Sequence, residues 1–125
     1  MYFHVMIGAN DIEASRAFYD ATFAALGVPA LGKFRETPAA YMYDDRANGL
    51  FFVTMPQNGE AATAANGGTI MFKAKSSAEI DAWAKAAAEN GGTILDAPGP
   101  GPRPGIYVSR LRDPAGNKLG AICFG

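Results

Sequence analysis

The chain has a single histidine, His4, within its opening run "MYFHVMIGAND". An imidazole can ligate a metal, act as a general base, or pack within a strand and form a hydrogen bond. Residues 2–7 are β-branched and aromatic enough to predict a strand, and alternation along it places Tyr2, His4 and Met6 on one face. His4 is therefore predicted to line a pocket, as a structural residue, a ligand contact or a general base.

Four further side chains on predicted strands are candidates for lining this pocket. Tyr41 and Tyr43 share one strand face, and Tyr107 lies on a later strand. Of Arg110 and Arg112, one is predicted to reach the pocket and the other to lie at its rim. The strand candidates are therefore Tyr41, Tyr43, Tyr107 and Arg110.

The proline-rich stretch "PGPGPRPG", residues 98–105, carries Arg103 on a predicted stiff loop. A guanidinium held in this way can clamp a carboxylate or a phosphate. The alternative is a solvated charge on a rigid connection, which the sequence favours. Arg103 is kept as a pocket candidate.

These candidates lie on elements that capping and turn residues delimit. Asn10 or Asp11 is predicted to cap a first helix that ends at Gly27, and Ser76 with Glu79 forms the capping box of a second helix. A turn is predicted at residues 44–49. Strands are predicted at residues 2–7, 32–35, 39–43, 50–55, 69–74, 93–95, 106–112 and 118–123.

The two halves of the chain repeat this order of elements. A shift of 65 residues places His4 on Thr69 and keeps the strands and helices aligned. Each half is a β-α-β-β-β unit too small to bury both faces of its own sheet, so the two units are expected to share a core. The predicted fold is α+β, with two tandem modules forming a curved mixed sheet with a concave cavity. The modules cover about residues 1–56 and 66–125 of a single domain, joined by a linker over 57–65.

This duplicated pattern resembles the vicinal-oxygen-chelate superfamily, which includes glyoxalase I, extradiol dioxygenases, and fosfomycin- and bleomycin-resistance proteins. The resemblance is carried by three runs that together span essentially the whole chain: "HVMIGANDIEASRAFYDATFAALG", "GGTIMFKAKSSAEIDAWAKAAAENGG" and "YVSRLRDPAGNKLGAICFG". These motifs indicate the fold strongly. They leave the chemistry open, because one fold hosts many functions.

The resemblance implies that metal-dependent members take four ligands from the first and last strands of the two repeats. These positions fall on His4, on Thr69, on Phe51 or Phe52 within "GLFFVTM", and on Gly120. Only His4 matches. A divalent cation needs about three or more protein oxygen or nitrogen donors, so the sequence predicts a degenerate site without a metal cofactor. A divalent metal held by residues outside the motif is the alternative.

Composition excludes several classes of partner. With 11 basic and 12 acidic residues, a net charge of −1 and no long run of one sign, the chain is not predicted to bind nucleic acid. Its apolar runs are too short to span a bilayer and it opens without a secretory signal pattern, so no membrane partner is expected. The single cysteine, Cys123, cannot form an internal disulfide, which favours a cytoplasmic location.

Three functional interpretations follow. The first is a glyoxalase/bleomycin-resistance-like protein that binds a small organic molecule without a metal, and the resemblance also implies a homodimer. The second is an enzyme, a metal-dependent lyase or dioxygenase whose active site is rebuilt from other residues. The third is a different duplicated α+β fold, such as a ferredoxin-like dimer, which does not explain the "DPAGNKL" ending. The sequence favours the first, with pocket candidates His4, Thr69, Tyr41, Tyr43, Arg103, Tyr107, Arg110 and Gly120.

Overall fold

The structure, a computed structural model, describes residues 1–45 and 49–124 and contains two modules of the order β-α-β-β-β. The predicted α+β duplication is confirmed. The turn predicted at 44–49 includes residues 46–48, which lie outside the described residues. The first module contains β1 (His4–Gly8), α1 (Ile12–Ala25), β2 (Ala30–Arg35), β3 (Ala40–Asp45) and β4 (Gly49–Thr54). The second contains β5 (Ile70–Lys73), α2 (Ser77–Glu89), β6 (Thr93–Pro100), β7 (Ile106–Arg112) and β8 (Lys118–Phe124).

Each module forms its own four-stranded mixed sheet, in which the first and last strands of the module lie side by side. The strand order is β1-β4-β3-β2 in the first sheet and β5-β8-β7-β6 in the second. The pairs β1–β4 and β5–β8 are parallel and the others are antiparallel. The predicted mixed sheet is thus present as two separate sheets, and β1 and β5 are both edge strands.

Both helices begin at predicted caps. The Asp11 carboxylate accepts a hydrogen bond from the Ala14 backbone N–H at 3.1 Å, and the Ser76 hydroxyl accepts one from the Glu79 N–H at 3.2 Å. The Glu79 carboxylate in turn accepts from the Lys75 N–H at 2.9 Å. These bonds satisfy N–H groups that the helix start leaves without intrahelical partners. Within the described residues, no helix is long and apolar enough to cross a membrane.

The strand β6 extends further than the sequence predicts. Residues 98–105 are predicted as a loop, whereas β6 continues as far as Pro100. β6 is an outer strand of its sheet, and there a proline costs no ladder hydrogen bond when its missing N–H faces outward. Register shifts between Ile94 and Gly99 show that pairing with β7 adapts to this irregular sequence.

The two modules share an aromatic core. Phe18 of α1 and Trp83 of α2 are fully buried at the equivalent positions that the repeat predicts. The centroid of the Phe23 ring lies 5.1 Å from that of Phe51 and 5.2 Å from that of Phe72. Because Phe72 belongs to the second module and the other two rings to the first, the apolar core is continuous between the modules.

A hydrogen-bonded link at the turn after β7 also joins the modules. The buried Asp113 carboxylate accepts from the Tyr19 hydroxyl of α1 at 2.5 Å and from the Asn117 side-chain amide at 2.9 Å. The Asn117 amide also donates to the Gly8 carbonyl oxygen at 3.0 Å. Burial and the nearby Asp113 carboxylate raise the pKa of Tyr19 well above its ordinary value. This Asp113 link assigns a structural role to the "DPAGN" motif.

Candidate functional site

Each sheet has one face that packs against its helix and an opposite face, which we call the open face. In the first sheet Phe51 and Tyr43 pack against Tyr19 and Phe23 of α1. Since side chains alternate along a strand, the neighbouring cross-strand row belongs to the first open face. That row consists of Met6, Phe52 and Met42.

His4 lies on the first open face in an aromatic cluster, which we call the aromatic surface. The centroid of the Phe52 ring is 5.2 Å from that of His4 and 4.8 Å from that of Phe34, and both pairs are edge-to-face. Phe52 is 4% exposed, whereas Phe34 is 50% exposed and His4 is also exposed. Across the described residues, no hydrogen bond or ion pair engages the imidazole. The aromatic surface can therefore receive an apolar or planar group from solution.

Tyr41 and Tyr43 lie on the helix-facing side of β3. The Tyr41 hydroxyl donates to the Glu13 carboxylate at 2.6 Å and the Tyr43 hydroxyl donates to Asp20 at 2.7 Å, and both acids belong to α1. The bond to Glu13, with burial, raises the pKa of Tyr41; burial and the bond to Asp20 raise the pKa of Tyr43. These two hydroxyls hold the sheet against the helix and point away from the open face.

In the second sheet Tyr107 also faces the helix. Its hydroxyl donates to the Asp81 carboxylate of α2 at 2.6 Å, and this bond, with burial, raises the pKa of Tyr107. Alternation then places Arg110, three residues further along β7, on the second open face. The cross-strand row that contains it consists of Met71, Gly120 and Arg110.

Gly120 lies beneath the thioether of Met71. A Cβ at residue 120 would overlap the Met71 sulfur and lie 3.1 Å from the Ser109 carbonyl oxygen. The register makes Gly120 the equivalent of Phe52, because Phe52 pairs with Met6 and Gly120 pairs with Met71. The first module fills this position with an aromatic ring, and the second fills it with a neighbouring thioether.

The arginine candidates occupy different environments. Nη1 of Arg110 is 3.3 Å from the Asp96 carboxylate of β6. Arg112 shares the second open face but donates from Nη1 to the Gly116 carbonyl oxygen at 2.8 Å, in the turn beyond β7. Arg103 is exposed in the turn between β6 and β7. Arg110 is thus the guanidinium at the middle of the second open face.

An apolar cavity of about 290 Å³ lies between the modules. Its walls come from β1, the start of β4, the residues that end α1, and β5. Leu50 and Met71 border both this cavity and the open faces, and Lys73 also contributes to its lining. The volume is enough for a small ligand or part of a larger one.

Comparison with known proteins assigns the fold to a family. The profile of the Glyoxalase/Bleomycin resistance protein/Dioxygenase superfamily matches residues 2–120. The chain belongs to this superfamily. A glyoxalase/bleomycin resistance protein from Albidiferax ferrireducens is 43% identical over 98% of this chain and 97% of its own, with a TM-score of 0.85. No curated protein matches the chain.

Two solved structures of lower sequence identity share the fold alone. A glyoxalase-related enzyme from Fulvimarina pelagi is 20% identical, with a TM-score of 0.77 over 98% of this chain and 86% of its own. A glyoxalase/bleomycin resistance protein/dioxygenase family enzyme from Burkholderia phytofirmans is 21% identical, with a TM-score of 0.72 over 96% and 95% of the two chains.

The residues at the four ligand positions implied by the superfamily resemblance do not fit a divalent metal. His4 offers one imidazole, and Thr69 is a neutral hydroxyl exposed just before β5. The register selects Phe52 over Phe51 as the equivalent of Gly120, and neither Phe52 nor Gly120 has a side-chain donor. Among the side chains that the structure describes, no group of three or more from His, Cys, Asp or Glu could hold a metal ion. A divalent cation needs about three or more protein oxygen or nitrogen donors.

Sequence reasoning missed Phe34 and Met71 as residues of the open faces. The repeat and the superfamily resemblance selected Thr69, and Met71 lies two positions further on, so strand alternation would have placed Met71 on the same face. Phe34 had no comparable signal, because β2 pairs with β3 through two register irregularities that break simple alternation.

Proposed function

We propose that the protein is a glyoxalase/bleomycin-resistance-like member of its superfamily that binds a small, partly apolar organic molecule and has a degenerate metal site. The proposal depends on which residues stand at two equivalent positions, residue 52 on β4 and residue 120 on β8. Phe52 is buried beside His4 at one of them, and the Met71 thioether covers Gly120 at the other. The superfamily resemblance implies that a metal-dependent member would have a ligand at both positions.

The aromatic surface supports binding of an apolar group. Burial of apolar area contributes roughly 25 cal/mol per Å², and aromatic rings add edge-to-face or stacked contacts. A ligand that covers Phe34 and the exposed edge of His4 would bury surface that the fold leaves open. The protein's part in this function is to remove apolar surface from water and to orient the ligand.

Binding is tested with indole as an apolar aromatic probe, by NMR titration of the ¹⁵N-labelled chain. We expect saturable shifts in the amides of His4, Phe34 and Phe52, and weaker binding in Phe34→Ala. Leu95→Ala is the control, because Leu95 is an apolar side chain that is 44% exposed on β6 of the second sheet. An absence of saturable shifts on both open faces would contradict the proposal.

The competing function is a metal-dependent lyase or dioxygenase with a rebuilt site. Elemental analysis of protein purified without tag or chelator, followed by calorimetric titration with nickel, zinc, manganese and iron(II), separates the two. We expect no stoichiometric metal and no tight site. A one-to-one site of submicromolar affinity that is lost in His4→Ala would establish the enzyme interpretation. Asp96→Ala would show whether the second open face contributes a ligand to such a site.

We also propose that the chain forms a homodimer in the cytoplasm. Phe3 and Phe124 are 79% and 76% exposed, and β1 and β5 are outermost strands of the described sheets. A second copy would cover both features. Light scattering should give about twice the 13.1 kDa of one chain, and the mass of one chain at micromolar concentration would count against a dimer. The unpaired, buried Cys123 supports the cytoplasmic location, which fractionation of expressing cells checks.

A further inference from the structure

The second open face has a marked excess of positive charge. Strand alternation places four basic side chains on it, and Asp96 is the acid that lies against them. The chain as a whole has a net charge of −1, so its acidic residues are concentrated elsewhere. A surface of this kind attracts anions. The basic residues are Lys73, Arg110, Arg112 and Lys118.

Arg110 lies at the middle of this face and has an unused pair of donors. It pairs across the strands with Gly120, which has no side chain to cover it. Its Nη1 contacts Asp96 at 3.3 Å, and the two side chains are 36% and 59% exposed. Across the described residues no other hydrogen bond or ion pair engages this guanidinium. Its Nε and Nη2 groups therefore remain available on one edge.

Arg35 on the first open face shows the contrasting case. Its Nε donates to the Pro38 carbonyl oxygen at 2.9 Å, and its Nη2 donates to the Thr54 hydroxyl at 2.6 Å. Arg35 thus uses the Nε and Nη2 edge of its guanidinium for structural hydrogen bonds, whereas Arg110 leaves the corresponding edge open. The second open face is the one with a guanidinium edge available to a ligand.

We propose that Arg110 binds the carboxylate of a small carboxylic acid, with Nε and Nη2 each donating to one carboxylate oxygen and the apolar part of the ligand lying on Met71. This inference rests on the proposed function, because it names the ligand class of one open face. A guanidinium matches a carboxylate in plane and in spacing, and charge-assisted pairs of this kind are stronger than neutral hydrogen bonds. Lys73 adds attraction from β5.

Benzoate and benzamide are suitable probes because they differ in charge and hardly in shape. NMR titration of the full ¹⁵N-labelled chain at pH 7 gives the dissociation constant of each and the amides that shift. We expect benzoate to shift the amides of Met71, Arg110 and Gly120 and to bind about tenfold or more tightly than benzamide. Arg110→Gln should weaken benzoate binding by about tenfold or more and leave benzamide binding unchanged. Arg103→Gln removes the same charge from an exposed turn and should change neither.

The outcomes separate this inference from the proposed function. The carboxylate assignment would be overturned if benzoate and benzamide bound with equal affinity, or if Arg103→Gln and Arg110→Gln lost the same amount of benzoate affinity. The proposed function would still be supported in that case, provided that indole binds. The proposed function itself would be overturned if none of indole, benzoate and benzamide bound to either open face. If Arg110→Gln fails to fold, Asp96→Asn provides the test: removal of the competing carboxylate should tighten benzoate binding, and unchanged or weaker binding would overturn the inference.

Discussion

The two open faces occupy equivalent positions in the repeat and differ in chemistry. On the first, Phe52 is buried between His4 and Phe34, and the central row is apolar. On the second, Gly120 lies beneath Met71, and a guanidinium occupies the adjoining position on the next strand. The same pairing of strands therefore presents an aromatic surface in one module and a cationic surface in the other.

The helix-facing sides of these sheets correspond far more closely. Val5 and Ile70 both pack toward the shared core, and Phe18 and Trp83 are both fully buried at matching helix positions. Close packing limits which side chains those positions tolerate, because a change of even one methylene group in a dense interior affects stability. No helix in the described part of the chain covers the open faces, and this is where the modules differ.

The largest effect is expected for the aromatic surface. Phe52→Ala removes a ring that is 4% exposed and should lower the free energy of unfolding by about 3–5 kcal/mol. Phe34→Ala removes a half-exposed ring and should cost only about 1 kcal/mol. Urea unfolding followed by fluorescence of Trp83, the single tryptophan, measures both. Equal costs for the two variants would show that Phe52 is not part of the packed interior.

The next effect concerns the position equivalent to Phe52 in the second module. Gly120→Ala places a Cβ where the Met71 sulfur lies and should cost about 1–3 kcal/mol. In a Met71→Ala background the cost should fall, because the overlapping group is gone and only the contact with the Ser109 carbonyl remains. A double-mutant cycle in urea measures the difference. Identical costs in the two backgrounds would contradict the contact.

A smaller effect is expected on the helix-facing side. Tyr43→Phe loses the hydrogen bond to Asp20 and should lower the free energy of unfolding by about 1 kcal/mol. Binding of indole and benzoate should not change, because Tyr43 faces α1. Weaker binding of either probe in this variant would indicate that Tyr43 contributes to the ligand pocket.

The pH dependence of stability tests the same placement. Because the folded pKa of Tyr43 is raised, its contribution to stability is fully present below the ordinary tyrosine pKa of about 10 and is lost as the pH rises above it. Urea unfolding between pH 8 and 11 should therefore show declining stability in the unmodified protein. The decline should be shallower in Tyr43→Phe, and parallel curves would argue against a buried phenol.

The smallest effect is expected from the charges of the second open face. Lys118 pairs directly across from Arg112, and like charges in such pairs destabilise a sheet. Lys118→Gln should raise the free energy of unfolding by about 0.2–1 kcal/mol, and the gain should shrink in high salt. Lys73→Gln is the matched control, since Lys73 pairs with Ile122. An equal gain in the control would point to overall charge rather than to this pair.

Much of the fold could be predicted from local signals. The caps at Asp11 and Ser76 depend on side chains that bond to backbone groups three residues away, so the sequence contains both partners. The match of Phe18 with Trp83 follows from the repeat itself. The superfamily resemblance added the positions that it implies for metal ligands, and the register then selected Phe52 over Phe51 as one of them.

The orientation of the tyrosines could not be predicted in the same way. Alternation shows that Tyr41 and Tyr43 share a face, but which face is covered by α1 depends on partners far away in the chain, such as Glu13 and Asp20. The filling of the space above Gly120 depends likewise on strand pairing with β5. Non-local register decides such features, and short sequence windows do not contain it.

The Asp113 link joins residues that are 94 and 109 positions apart in the chain. Contacts between such distant positions are slow to form, since closing a long loop costs chain entropy before any contact compensates for it. Each module has its own sheet, yet neither contains the whole aromatic core. We therefore expect the two halves to gain and lose structure in one cooperative transition, with coincident unfolding curves by fluorescence and by circular dichroism.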